Sequence, residues 1–352
     1  MKVLLLGGTG AMGVYLESLL SDHGFQVMIT SRSERSSKKS NVSYIQGNAL
    51  EEEFLDELLK SNWDVVVDFM IYPTATFAQR IEKLLKSTKQ YVYLSSARVY
   101  ADSTSKITED SPRLLDVSKD FEFLSTDEYA LAKARQENIL FTSAFKNWTI
   151  VRPYITYGER RFQLGVLEKE SWLYRALKGK TIIFSKEMLH KRTTITSGFD
   201  VAKSIFSLLG KESALGEAFH ITSNESTSWD NLLDLYCMEL EKQLGHRPKI
   251  MLQDLSDFNM HHQAIYQIEY DRLYNRIFDN SKIEKYIDVS GFASPFDGVK
   301  KSLNSFISNP DFLAINWRSE AIKDKSTGEY SCFSEIKGSK NKLKYFYYRF
   351  IK

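Results

Sequence analysis

The stretch KVLLLGGTGAMGVYLESLL, residues 2–20, constrains this chain more than any other. A near-continuous apolar run enters a turn with glycines at Gly7, Gly10 and Gly13, and an amphipathic pattern follows at once. Strand, glycine turn and helix in that order let the backbone turn tightly, approach a diphosphate and pack its helix close to the strand. The helix start then offers N–H groups and the positive end of the helix dipole to an anion. Thr9, Ala11 and Met12 fill out the turn, and with the three glycines they are the expected dinucleotide-binding residues.

The same rhythm continues to about residue 152. KVLLLG, FQVMIT, VSYIQG, DVVVDFM, QYVYLSS and NWTIVRP are short apolar and β-branched runs, separated by amphipathic stretches such as EEEFLDELLKS and TFAQRIEKLLKST. Apolar strands alternating with helices predict a parallel sheet covered on both faces, an α/β doubly wound fold of Rossmann type. After Pro153 the rhythm loosens into a smaller mixed α/β region with strand-like TIIFS and EAFHIT and several helical stretches. The expected division is a dinucleotide-binding domain over 1–152, with elements around 190–222 returning to it, and a mainly substrate-binding domain over 153–308. Residues 309–352 form a polar, basic extension ending KNKLKYFYYRFIK, for which a helix or strand packed back on the body is the leading reading and partner or phosphate binding the other. The polar loop 101–125, which contains Pro112, is expected near the mouth of a site.

Composition narrows the class. Apolar content of 43% and charged content of 26% are those of a soluble globular chain. A net charge of +2 gives no argument for nucleic acid or an anionic membrane, and no stretch approaches the roughly 18 apolar residues of a membrane span. Cys237 and Cys332 are too far apart in sequence to suggest a disulfide framework, and the adjacent His261 and His262 lack metal-ligand spacing and are expected in a surface loop. The expectation is a cytoplasmic protein without metal, nucleic-acid or membrane partners.

The second strand runs into SRSER. A carboxylate at its end would favour NAD by reading the ribose, whereas arginines favour NADP by pairing with a 2′-phosphate. Ser31, Arg32 and Arg35 occupy these places, so NADP is favoured over NAD.

In STDEYALAKARQE, residues 125–137, Tyr129 and Lys133 stand four places apart on a helix. Spacing alone does not make them an acid–base pair, because Tyr348 and Lys352 repeat it in the last residues. Ser125 and Glu128 read as a capping box that places Tyr129 in the first helical turn, with Lys133 one turn on along the same face.

These motifs, taken in order, resemble the extended short-chain dehydrogenase/reductases, the NAD-dependent epimerase/dehydratase family. The resemblance covers about residues 1–305: GGTGAMG, then YLSSARVY, YALAK, VRPYITYGERR, HKRTTITSGFDVAKS and GEAFHITSNESTSW. It implies Ser96, Tyr129 and Lys133 as catalytic residues, with Lys133 also on the nicotinamide ribose. Arg192 and Arg160 are implied to reach a substrate diphosphate. An aspartate common after the third strand is replaced by Asn48, whose amide could still contact adenine, and FMIYP replaces a small-residue pair after the fourth strand. Nucleotide-sugar 4,6-dehydratases carry an Asp-Glu pair where this chain has Ala97 and Arg98, which argues against water elimination. The implied activity is NAD(P)-dependent epimerisation or reduction of a nucleoside-diphosphate sugar at a ring carbon, with C4 the expected position, by a homodimer. The alternative is a non-catalytic relative that senses a dinucleotide or binds RNA.

Overall fold

A computed structural model describes residues 1–351; Lys352, the second half of the Tyr348 pair, lies outside the described residues. The chain divides into two compact units: residues 1–156, 194–225 and 277–295 form one, and 157–193, 226–276 and 296 onward the other.

The first unit is built on seven strands: β1 (Lys2–Leu6), β2 (Gln26–Ser31), β3 (Val42–Gln46), β4 (Trp63–Asp68), β5 (Thr88–Leu94), β6 (Trp148–Pro153) and β7 (Glu217–Ile221). They lie in the order β7-β6-β5-β4-β1-β2-β3, and every neighbouring pair is parallel. The order runs outwards from β1 in both directions, so the sheet is doubly wound and its switch point falls between β1 and β4. Alternate side chains point to opposite faces. Val3, Leu5, Val65 and Val67 pack with Leu16 and Leu20 of helix α1 (Gly13–Asp22). Leu4, Leu6 and Val66 pack instead with residues of α2 (Glu52–Leu59), such as Leu55, and of α3 (Thr74–Lys86), such as Phe77. On that second face also lies α4 (Tyr129–Thr142), whose Leu140 joins the same cluster. A last helix, α5 (Gly198–Leu208), covers the first face with Val201 and Ile205. Residues 277–295 also count with this first unit. The Asp279 carboxylate there accepts from the Ser281 amide at 3.0 Å and so caps a turn, as a short polar side chain in that place does.

The second unit holds a parallel strand pair, Ile182–Ser185 with Ile250–Gln253, and the long helix Trp229–Leu244, closed by Gly245 in the left-handed conformation. Its last part is helical: Trp317–Thr327, then Ser339–Phe346 and a wider turn over Tyr347–Ile351. Trp317, Ala321, Ile336 and Tyr345 share a core with Tyr174, so residues 309–351 pack as folded structure within this unit. His261 corrects the sequence reading: it ends the helix Leu255–His261 and is buried rather than in a surface loop, its Nε2 3.1 Å from Gln253 Oε1. Burial pushes its pKa down to about 2 and that of His262 to about 4, which keeps both rings neutral. Among the described residues no group of three or more His, Cys, Asp or Glu is placed to hold a metal ion, and no helix is long and apolar enough to cross a membrane.

Candidate active site

The glycine turn follows β1 and ends at α1, and two of its glycines have no substitute. A Cβ at Gly13 would sit 2.2 Å from the Gly8 carbonyl oxygen, so only glycine lets the helix start this close to the turn. Gly7 has φ +70°, and a Cβ there would also meet the Met70 sulfur at 2.7 Å. Gly10, by contrast, borders open space. This cradle fits a dinucleotide diphosphate: the turn is open at Gly10 and its helix N-terminus is adjacent, while Met12 packs against the core and the Ala11 carbonyl lies close to Gly198. At the end of β2, Ser31 is buried and its carbonyl accepts from the Gly47 amide at 2.9 Å. Arg32 and Arg35 are exposed beyond it. The Asn48 amide is engaged locally: its Oδ1 accepts from the Leu50 amide at 3.2 Å and its Nδ2 donates to Glu51 at 3.3 Å.

Tyr129 opens α4, but not through a capping box. Ser125 ends the short helix Phe121–Ser125 and donates its hydroxyl to the Glu122 carbonyl at 2.7 Å. Glu128 itself caps α4, its carboxylate accepting from the Ala130 amide at 2.7 Å. A carboxylate at a helix start meets the positive end of the dipole as well as a free N–H, which is why it takes the place of the expected serine. Tyr129 still falls in the first turn. The loop 101–125 likewise carries structure, the helical turns Leu114–Val117 and Phe121–Ser125.

Tyr129 and Lys133 line one cleft of about 450 Å³, together with Ile71, Tyr72, Pro73, Asp127 and Ala132. The Lys133 ammonium lies 5.8 Å from the centroid of the Tyr129 ring and 4.6 Å from that of Tyr93. It donates to the Leu94 carbonyl at 2.7 Å, at the end of β5. Ser96 stands two residues further on, nearly buried, where its hydroxyl oxygen accepts from the Arg98 amide at 3.2 Å. The sheet therefore brings the serine, the tyrosine and the lysine to the carboxyl ends of its central strands, the edge where open α/β sheets bind ligands.

Sequence reasoning passed over several residues here. Arg98, noted only as the wrong residue for a dehydratase, holds its guanidinium carbon 5.2 Å from the Tyr129 ring centroid and donates to Glu128 at 2.6 Å. Two cations thus border the same phenol. The loop after β4 joins the two halves of the site: Met70 lies against Gly7, while Ile71, Tyr72 and Pro73 line the cleft. Behind it, fully buried Asp68 accepts from Tyr91 at 2.7 Å and from Tyr72 at 2.9 Å. Burial pushes its pKa up, against the pull of those hydrogen bonds. Burial likewise pushes the Lys133 pKa down to about 8, with Asp68 and Glu137 opposing the shift. The position after β4, at the switch point, was the one available signal for Ile71 and Tyr72.

Arg192 and Arg160 belong to the second unit. Arg192 is exposed and its guanidinium donates to the Ser226 carbonyl and hydroxyl at 2.9 and 2.7 Å. Arg160 is exposed beside the bridge between Gly158 and Arg161.

A doubly wound parallel sheet, a glycine turn after its first strand and a Tyr-Lys cleft at its carboxyl edge define a dinucleotide-binding fold of the short-chain dehydrogenase/reductase class. The chain belongs to the NAD dependent epimerase/dehydratase family, whose model matches residues 3–221. Among curated proteins it is similar to the chloroplast stem-loop binding protein of 41 kDa b of Arabidopsis thaliana, 24% identical over 340 residues, covering 91% of this chain and 82% of that protein. Among solved structures it is similar to UDP-glucuronic acid 4-epimerase of Bacillus cereus bound to UDP-glucuronic acid and NAD, with a TM-score of 0.67, 16% identity, and coverage of 88% and 99% of the two chains. The Bordetella bronchiseptica enzyme WbmH in complex with NAD+ gives a TM-score of 0.66 at 16% identity, with coverage of 88% of this chain and 99% of that one. At these identities the structural likeness is one of fold.

Proposed function

We propose that this protein is an NAD(P)-dependent epimerase or ketoreductase of a nucleoside-diphosphate sugar, acting at a ring carbon, C4 being the leading choice. The observation that carries the reading is the cleft holding Tyr129 with the Lys133 ammonium 5.8 Å from its ring. A bound nicotinamide supplies the hydride acceptor or donor; the protein supplies binding, geometry and field. The turn at Gly7, Gly10 and Gly13 would hold the diphosphate, and Lys133 the nicotinamide ribose. Tyr129 would take the proton of the sugar hydroxyl or return it, and Ser96 would hydrogen-bond the same oxygen. A phenol of reference pKa about 10 is a poor base at neutral pH. The Lys133 ammonium favours its phenolate, whereas the charge of Arg98 is balanced by its ion pair with Glu128. Arg32 and Arg35 favour NADP, and Arg192 and Arg160 are proposed for the substrate diphosphate.

A panel of nucleotide sugars and their 4-keto forms, offered with NADPH and with NADH, tests this reading. Net consumption of reduced cofactor means a reductase, conversion of sugar without it an epimerase, and neither across the panel removes the proposal. Preference for NADPH that Arg32→Ala with Arg35→Ala abolishes is the expected cofactor result. A second prediction concerns pH: turnover should fall above pH about 8, as Lys133 loses its proton and with it the charge that supports the phenolate. Asp68→Asn removes a carboxylate that helps keep Lys133 charged, so the upper limb of the pH–rate profile should move to lower pH. A limb unmoved by that change would separate Asp68 from the chemistry.

A second reading is a non-catalytic protein that binds RNA; the stem-loop binding in the curated relative's name is what brings it forward. It requires a stem-loop RNA to bind while no nicotinamide does.

A further inference from the structure

We propose that the last helix of the second unit is a docking face for an anionic lipid surface. Residues 337–351 carry five basic side chains, Lys337, Lys340, Lys342, Lys344 and Arg349, and no acidic one. In the same segment Leu343, Phe346, Tyr347, Phe350 and Ile351 are 71%, 45%, 46%, 55% and 64% exposed, a concentration of exposed apolar area unusual for a water-facing helix.

The arrangement follows from helical periodicity. At 3.6 residues per turn, positions 343, 346, 347 and 350 fall on one face and Tyr345 on the opposite one. Tyr345 is buried, its hydroxyl donating to Asp324 at 2.7 Å and its ring 6.1 Å from that of Trp317. The helix is therefore anchored by its Tyr345 face, and the apolar stripe points away from the body. The wider turn over Tyr347–Ile351 continues the stripe, with the Phe346 and Phe350 rings 5.4 Å apart. Lys340 and Lys344 flank the stripe on one side, Lys342 and Arg349 on the other. Such a stripe, bordered on both sides by cations, is how an in-plane helix rests at the boundary between headgroups and acyl chains. The whole-chain charge of +2 hides this local excess.

Two other occupants fit less well. A second copy of the face would bring like charges together. Nucleic acid would use the cations and stack on the aromatic rings, but would leave the aliphatic Leu343 and Ile351 without a partner.

The test is co-sedimentation of the full chain with phosphatidylcholine vesicles, with and without one quarter phosphatidylglycerol. Binding is expected only to the anionic vesicles and should weaken with salt. Leu343→Glu with Phe350→Glu, at exposed positions, should lower the partition coefficient by at least about ten-fold. Each cation near an anionic surface contributes about 1 kcal/mol, so Lys340→Glu with Lys344→Glu should lower it by roughly 25-fold or more. Unchanged thermal unfolding of both variants excludes misfolding as the cause. No binding to anionic vesicles, or binding indifferent to the apolar changes, overturns the proposal. So does a stem-loop RNA bound in place of vesicles through the lysines alone, or a dimer that the apolar variant dissociates.

Discussion

Tyr129→Phe is expected to lower turnover by roughly 10²–10⁴-fold, the usual contribution of a positioned general acid–base group. Only the hydroxyl is removed. The ring keeps its place between the Arg98 guanidinium, 5.2 Å from its centroid, and the Lys133 ammonium at 5.8 Å, so the cleft should keep its shape. The glycine turn and Arg32 and Arg35 are untouched, and dinucleotide affinity should stay close to that of the parent. Steady-state kinetics should show kcat and kcat/KM falling together, the signature of an interaction made only in the transition state. Lys133→Met makes a contrast: it removes the cation proposed both to hold the ribose and to tune the phenol, so dinucleotide affinity should fall along with turnover. A Tyr129→Phe protein with near-parental activity would sink the mechanism. Parental proteins that bind RNA and never turn over a nicotinamide would instead favour the non-catalytic reading, so the two failures are distinguishable.

The sheet was legible because a strand buried on both faces must be apolar almost throughout, and KVLLLG or DVVVDFM can hardly be anything else. The glycine turn was legible for a related reason: Gly13 has no room for a Cβ and Gly7 has a positive φ, constraints that a side chain would violate. Residues whose burial breaks the polar-outside rule were harder to read. In α4, Lys133, Gln136 and Glu137 are all buried, so its apolar pattern understates how much of the helix is covered. Tyr93 donates to Gln136, and Arg152 donates to Glu137 at 2.7 Å, partnerships that no local window contains. Glu128 was read as the partner of Ser125, three residues on in a capping box, when it is the cap itself, an error of three residues where boundaries are least defined by pattern. Ile71 and Tyr72 carry no signature except their place after β4. The stretch after residue 309 looked aperiodic for a physical reason: the helix Trp317–Thr327 turns Glu320, Lys323 and Asp324 inward, so hydrophobic periodicity cannot find its buried face.

That inward-facing charge makes Asp324→Ala the stability change with the largest expected effect. Asp324 is fully buried and accepts from Arg175 at 2.7 Å, Lys180 at 2.8 Å, Tyr345 at 2.7 Å and Ser331 at 3.0 Å. Its loss leaves Arg175 still paired with Glu320 at 2.8 Å, but strips Lys180, itself buried, of its carboxylate. Removing one member of a buried ionic group typically costs 3–5 kcal/mol, so urea unfolding should show a loss on the order of 3–5 kcal/mol. The sign of its pH dependence is a further check. Burial pushes the Asp324 pKa up, but Lys180, Tyr345 and Arg175 outweigh it and hold the carboxyl below its usual range. A depressed carboxylate contributes stability that is present above the unfolded pKa of about 4 and is lost as pH falls through the folded value. The gap between parent and variant should therefore be full at neutral pH and narrow below about pH 4. A gap of under about 1 kcal/mol at pH 7 would mean that water or a neighbouring carboxylate takes over the two cations, and that the last helices are held by their apolar contacts alone.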